Sequence, residues 1–414
     1  MKVQLEILLK KRQGAWVSPR VLQLILSYLE HGVDHSNTWA LLRGQNYKDL
    51  LKDIIFPLMC FSQEDSEMWE DDPEEYIRQK FDIFAEMSNP KSQAESFVNT
   101  ACAKRKQVLQ DTMAFAQTML GKLNELTPEQ VDGVFNLICS VAEQLMKKKQ
   151  YKTQIDTLIK QFFIPLCNAP QGYLRARGLN CIKTFAESSM KKPTLIAVFE
   201  IALKLLTNEE EDLPVSVEAA MALSTIASEH QEKAEEFMKK SIGPVLKATL
   251  TLINKTVNDD LSDVIKKFIT DFCEYIEPIA VELAEGISQS FIQLASADAD
   301  EGEDYDNHAL TAVGVLTALD TLLDMVEENE TLVKSIEEVS FFQFEVIELV
   351  LEIVFTRILT GDVIVFTVSD CVLFCTIKVE KSSSVSALEY LGMSSLMLSL
   401  SIVIAVSLKV KLGL

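Results

Sequence analysis

The chain has 414 residues, too many for one ordinary hydrophobic core but well suited to an array whose core lengthens with every added unit. Hydrophobic residues at 48% and charged residues at 24% exclude a chain that stays disordered. The formal net charge of −22 serves solubility on one reading; on another it attracts basic partners and repels nucleic acid. The first residues, Met1-Lys2-Val3-Gln4-Leu5-Glu6, carry an acid and lack a long apolar run, so no secretory signal is expected. Six of the eight cysteines (Cys60, Cys102, Cys139, Cys167, Cys181, Cys273) sit in helical patterns, as small apolar residues do in a reducing compartment.

In chain order, Ser18-Pro19 opens a helix with Ser as N-cap, and its apolar stripe (Val21, Leu22, Leu24, Ile25, Tyr28, Leu29) ends near Gly32. A second helix runs from about Tyr47 into Ile54-Ile55-Phe56-Pro57-Leu58-Met59-Cys60. A sharply acidic stretch follows from Glu64 to Glu75. Asp72-Pro73-Glu74-Glu75 closes it with an N-cap signal, and the next helix presents Ile77, Phe81 and Phe84 on one face. Thr127-Pro128-Glu129-Gln130 repeats that punctuation before a stripe of Val131, Val134, Phe135, Ile138, Ala142 and Leu145. The apolar-Pro-apolar motif returns at Phe162-Phe163-Ile164-Pro165-Leu166-Cys167, at Ile242-Gly243-Pro244-Val245-Leu246 and at Tyr275-Ile276-Glu277-Pro278-Ile279. Each copy is expected to open a helix. Pro214 stands about 41 positions after Tyr173, within the ~40–47-residue period of HEAT-like repeats. A last amphipath carries Leu316, Leu319, Leu323 and Val326.

Recurrence without strand-like alternation predicts stacked helical hairpins, each burying its apolar face against its neighbours. The expected fold class is all-α, a right-handed α-α superhelix (HEAT/armadillo-like solenoid) of about eight or nine hairpins, over residues 1–357. From Ile358 to Leu414 four acids balance four bases, so the whole −22 belongs to the first 357 residues. Gly361 to Val368 is β-branched and strand-like, and Leu391 to Leu408 is an uncharged run just long enough to raise a membrane-spanning reading, diluted by five serines. Residues 358–414 are therefore expected to be an atypical apolar tail rather than a domain of the array.

A long surface without a clustered chemical constellation predicts a binding protein, not an enzyme. No phosphate-binding glycine loop, nucleophile elbow or dinucleotide fingerprint occurs. His31 and His35 are four apart, but Gly32 between them favours a turn over a metal-binding helix face, and Cys371 and Cys375 lack further ligands at zinc spacing. No cofactor or metal is expected. The runs Lys104-Arg105-Lys106 and Lys147-Lys148-Lys149 lack interleaved aromatics and read as helix ends, while Arg175 and Arg177 read as partners for acids of adjacent repeats. Two acidic clusters are candidate sites for basic ligands: Glu64, Asp65, Glu67, Glu70, Asp71, Asp72, Glu74 and Glu75, and then Asp298, Asp300, Glu301, Glu303 and Asp304. Both read as inter-helix loops. As flexible acidic arms they would grip Lys/Arg-rich proteins through many salt-sensitive contacts; as solvated loops they would do nothing specific.

Several blocks, taken in order, resemble the importin-beta (karyopherin) superfamily, and within it the branch of importin seven and importin eight. They include Ser18 to Gln23, Gly32 to His35 with Thr38-Trp39, Ile54 to Cys60, Asp72 to Arg78, Ala101 to Lys106, Lys147 to Lys152, Gly172 to Arg177, Pro214 to Ala220, Asn258 to Leu261 and Leu319 to Leu323. The resemblance covers roughly residues 15–355. It implies a HEAT-repeat nuclear transport receptor that shuttles between cytoplasm and nucleus. Such receptors bind basic cargo such as ribosomal proteins and linker histones, contact phenylalanine-glycine nucleoporins, pair in some cases with importin beta, and release cargo to Ran-GTP. The family's main Ran-GTP contact lies in repeats that precede the segment resembled here, so the resemblance does not carry Ran binding to this chain. The alternatives are a HEAT scaffold for another complex and an adaptor anchored through Leu391–Leu408.

Overall fold

The structure, a computed structural model, describes residues 2–81, 89–295, 303–336 and 338–340. Every regular element among them is helical, as the repeat pattern predicts. The chain divides into two compact units, Met1–His230 and Gln231–Leu414, a boundary for which the sequence carries no linker-like signal.

The first unit opens with α1 (Lys2–Arg12) and α2 (Pro19–Gly32). Ser18 caps α2 as expected, accepting from the Val21 amide, and Leu22, Ile25, Leu26 and Leu29 form its buried face. Each such side chain contributes on the order of 1.5–3 kcal/mol when fully buried. Next come α3 (Ser36–Leu42), α4 (Gln45–Leu50), α5 (Phe56–Met59), α6 (Gln63–Asp71), α7 (Pro73–Phe81), α8 (Pro90–Lys104) and α9 (Val108–Leu120). They are followed by α10 (Pro128–Ser140), α11 (Ala142–Met146), α12 (Ile155–Leu158), α13 (Ile164–Leu166), α14 (Gly172–Thr184), α15 (Lys192–Thr207) and α16 (Leu213–Glu229). Thr127 and Gln130 form the predicted reciprocal cap of α10. Helices α2, α8, α10, α14 and α16 pack in that order, each on the next. Cross-repeat hydrogen bonds restate the period: Asn136 to Glu95 spans 41 positions, Cys139 to Cys181 spans 42 and Arg177 to Asp132 spans 45.

The apolar-Pro-apolar motif does not open helices at its first two copies. Pro57 and Pro165 sit in last turns, each entered through a π-helical turn, Leu51–Ile55 and Ile159–Phe163. Proline has no N–H, and its ring crowds the carbonyl four residues back. The wider π turn, in which Phe56 bonds to Leu51 and Ile164 to Ile159, accommodates that conflict without ending the helix early. Both turns end on a cysteine that meets a glycine of the next packed helix. A Cβ on Gly133 would lie 2.6 Å from Cys60 Sγ, and one on Gly178 would lie 2.7 Å from Cys167 Sγ and 2.9 Å from the Cys167 backbone nitrogen. Because the Gly178 neighbours include backbone, Gly178→Ala should destabilise the first unit by about 1–3 kcal/mol, read as a lowered urea midpoint. An unchanged midpoint would mean that the two segments are not held this close.

In the second unit α17 (Gln231–Thr256) packs on α18 (Asp260–Asp271) and α19 (Ala280–Ala295), and α20 (Glu303–Val326) packs on α18 and α19. Pro244 lies inside α17, against the expectation that it opens a helix, whereas Pro278 sits in a 3₁₀ turn directly before α19. Residues 307–326 of α20 are long and apolar enough to cross a membrane. Val315, Ala318, Leu319, Leu322 and Leu323 are nevertheless buried, as in a core helix. The atypical tail at 358–414, with its strand-like stretch, its Cys371/Cys375 pair and its Leu391–Leu408 run, lies outside the described residues.

Candidate functional site

The acidic stretch from Glu64 to Glu75 is not a loop. It forms the α6–α7 hairpin, because its polar residues cap helices and its few apolar ones find a surface. Ser62 and Asp65 make a reciprocal cap, the Asp65 amide donating to Ser62 Oγ and the Ser62 amide to Asp65 Oδ2, both at 3.0 Å. Asp72 Oδ1 accepts from the Glu75 amide at 3.0 Å and starts α7. Acids in the first turn of each helix also complement its dipole.

The apolar residues fix the hairpin to the repeats. Phe61 stacks on Tyr173 of α14 at 3.9 Å between centroids, and Trp69 meets Tyr76 edge-on at 5.0 Å. Trp69 also lies 6.1 Å from Phe61 and 6.4 Å from Tyr173, so four rings from three segments form one cluster. Ile77 is buried, and α7 packs on α16. There Lys80 Nζ lies 2.6 Å from Glu218 Oε1, and Lys183 Nζ of α14 lies 3.1 Å from Glu218 Oε2. Glu218 is 1% exposed. Burial alone would raise its carboxyl pKa, but the Lys183 and Lys80 ammoniums more than offset this and hold it at about 2.

Docking sorts the predicted ligand-binding acids. Asp65 pairs with Lys91 at 3.3 Å, Glu75 with Arg78 at 3.1 Å, and Glu67 accepts from Gln63 at 2.8 Å. Burial would raise the Asp65 carboxyl, yet Lys91 and the Ser62 cap leave it below the usual carboxylate range. Glu64, Glu67, Glu70, Asp71, Asp72 and Glu74 face solvent. The hairpin is thus a positioned acidic ridge instead of a flexible arm. Of the second cluster, Asp298, Asp300 and Glu301 lie outside the described residues, and Glu303 and Asp304 begin α20. Where the ridge meets the repeats, a groove of about 460 Å³ is lined by Trp69, Glu70, Pro73, Tyr173, Asp212 and Pro214, among others. Neither this groove nor the aromatic cluster was legible as a site. The one local signal was an indole, Trp69, in the middle of an acidic run.

Arg175 and Arg177 are the inter-repeat partners their positions predict. Arg175 bonds Glu211 and the carbonyls of Ala169 and Pro170, and Arg177 Nε donates to Asp132 Oδ1 at 2.6 Å while Nη1 donates to Asn136 Oδ1 at 2.9 Å. Asn136 Nδ2 in turn donates to Glu95 Oε1 of α8, and Glu30 of α2 accepts from Ser96 and Thr100 of α8. Polar side chains therefore tie α2, α8, α10, α14 and α16 together rung by rung. The basic runs behave as helix ends: Lys104 pairs with Asp34 at 2.7 Å, Arg105 donates to the Val33 carbonyl and lies over Trp39, and Lys147 pairs with Glu143. His31 occupies the last turn of α2 and His35 precedes α3. Among the described residues no three metal-ligating side chains converge. Burial pushes the Cys60 thiol up to about 12 and the Cys102 thiol up to about 11, so neither is a nucleophile near neutrality.

Packed helix pairs joined by a polar ladder and carrying a docked acidic hairpin define a helical-repeat protein of the HEAT class. Residues 26–223 match the Cse1 family. The chain is 36% identical over 354 residues to Importin-8 of Homo sapiens, an alignment covering 85% of this chain and 33% of that protein. It is 32% identical over 351 residues to Importin-8 of Danio rerio, covering 85% and 34%. The solved structure of the exportin Cse1 in its cargo-free, cytoplasmic state aligns with a TM-score of 0.62 at 16% identity, covering 88% of this chain and 38% of that one. That likeness establishes the solenoid fold. Over most of its length the chain is therefore similar to members of the importin-β superfamily. It spans about a third of the length of the curated relatives it matches.

Proposed function

We propose that this chain is a cargo-binding segment of a nuclear import receptor, shuttling between cytoplasm and nucleus, and that its ligands are Lys/Arg-rich proteins such as ribosomal proteins and linker histones. The observation that carries the reading is the α6–α7 ridge, six of whose acids face solvent while its aromatic side is anchored. A fixed ridge of one charge sign raises the local concentration of cationic ligands and speeds their capture, an effect weakened by salt. Anchoring also spares the ligand the ordering cost that a flexible arm would add. Phenylalanine-glycine nucleoporins and importin beta belong to the same proposal through the family resemblance alone, which does not carry Ran-GTP binding to this chain.

The test is charge reversal. Replacing Glu64, Glu67, Asp71 and Glu74 by Lys leaves the caps at Ser62 and Asp72 intact. Binding of a linker histone at physiological salt should weaken by about tenfold or more, mostly through a slower on-rate. Equal affinity for wild type and variant would remove the ridge from cargo binding.

A further inference from the structure

The ridge meets the repeats in a groove with its own chemistry. Its floor is Gly172, the first residue of α14. A Cβ at this position would fall 1.8 Å from Asp212 Oδ2 and 3.0 Å from Trp69 Cζ2. The missing side chain is what lets a carboxylate and an indole edge converge on one spot. Tyr173 adds a second ring, and Glu70 of α6 adds a second carboxylate to the lining, exposed to solvent. The nearest cation, Arg175, lies 3.4 Å from Asp212 but is committed chiefly to Glu211, whose side chain is 6% exposed. Asp212 itself is 45% exposed and makes no side-chain cap bond to α16, so its carboxylate has no structural task in that helix. Tyr173 Oη donates to Glu129 Oε1 at 3.3 Å, which places a third acid beside the same ring.

Resting on the functional reading above, we infer that this groove seats one lysine or arginine side chain of the basic ligand, with its aliphatic stem along Trp69 and Tyr173 and its cationic head between Glu70 and Asp212. An aromatic wall with flanking carboxylates suits such a side chain twice over. The stem loses apolar surface to the rings, and the head gains both ring quadrupoles and charge-assisted hydrogen bonds. The wider ridge then supplies long-range attraction, and the groove supplies the anchor that slows release.

The experiment compares two neutral pairs in the full chain against a labelled lysine-rich peptide. Glu70→Gln with Asp212→Asn removes the groove carboxylates; Glu64→Gln with Glu74→Gln removes the same charge from the ridge outside it. The groove pair should weaken binding by about tenfold, mainly in the off-rate, and the ridge pair by about twofold or less. Equal losses would overturn the seat while leaving the acidic-ridge reading standing. Failure of the wild type to bind the peptide at physiological salt would end both. Glu70→Gln alone, at an exposed position, guards against misfolding of the pair and should account for part of the loss. As a second readout, Trp69 emission in a Trp16→Phe, Trp39→Phe background should change on peptide binding. Binding without any change in that emission would equally overturn the seat.

Discussion

Arg177→Ala should cost the first unit about 3–5 kcal/mol, the range for removing one partner of a buried ion pair. Its side chain is 16% exposed and Asp132 only 2%, so the substitution strands a carboxylate where water cannot replace the guanidinium. The loss extends to Asn136, which would keep Glu95 and the Met59 carbonyl but lose its contact to α14. Amide exchange should report it as faster opening of α10 and α14, with α2 much less affected. The companion variant Arg177→Met with Asp132→Leu should recover most of the stability, because apolar groups of similar size dispense with the desolvation cost. Equal instability of the single and double variants would show that the pair's worth lies in packing and not in charge.

Acid should undock the ridge before it melts the repeats. Glu218 has a folded-state pKa of about 2 against an ordinary value of 4.5. A depressed carboxylate contributes stability that is fully present above the unfolded-state pKa and is lost as pH falls through the folded one. The window therefore runs from about pH 4.5 down to about 2, and the gap corresponds to roughly 3 kcal/mol. Because Glu218 joins Lys80 of α7 to Lys183 of α14, the loss falls on the contact between hairpin and repeats. Trp69 emission, with Trp16 and Trp39 replaced by Phe, should shift across that window while far-ultraviolet dichroism holds. In Glu218→Gln the acid-dependent step should vanish and the neutral-pH protein should already show the shifted emission. A Trp69 signal that moves only together with global unfolding would place the hairpin's stability elsewhere.

The two halves of the acidic stretch show how far local signals reach. The caps at Ser62 and Asp72 depend on residues three positions away, and the Asp72 cap was readable from its Asp-Pro-Glu-Glu signature. Taken alone the stretch nevertheless reads as a loop, since its apolar content cannot by itself stabilise two short helices. What stabilises them is Tyr173, Lys183 and Glu218, about a hundred or more positions further along the chain. The proline motifs divide in the same way. Their recurrence was plain, but their place at helix ends depends on π turns that only the backbone reveals.

By itself the sequence determined the all-α repeat, its period near 40 residues, the caps at Ser18 and Thr127, and the duty of Arg175 and Arg177 as links between repeats. Those features rest on hydrogen bonds within a helical turn, or on a spacing that recurs, and both are written in nearby letters. The tertiary structure alone decided that the acids stand on a fixed ridge, that Gly172 opens a groove beneath Trp69, and that the chain divides at His230–Gln231. Each of these depends on which distant surfaces meet, and the free energy of such meetings comes from area and charge removed from water, which no local pattern records.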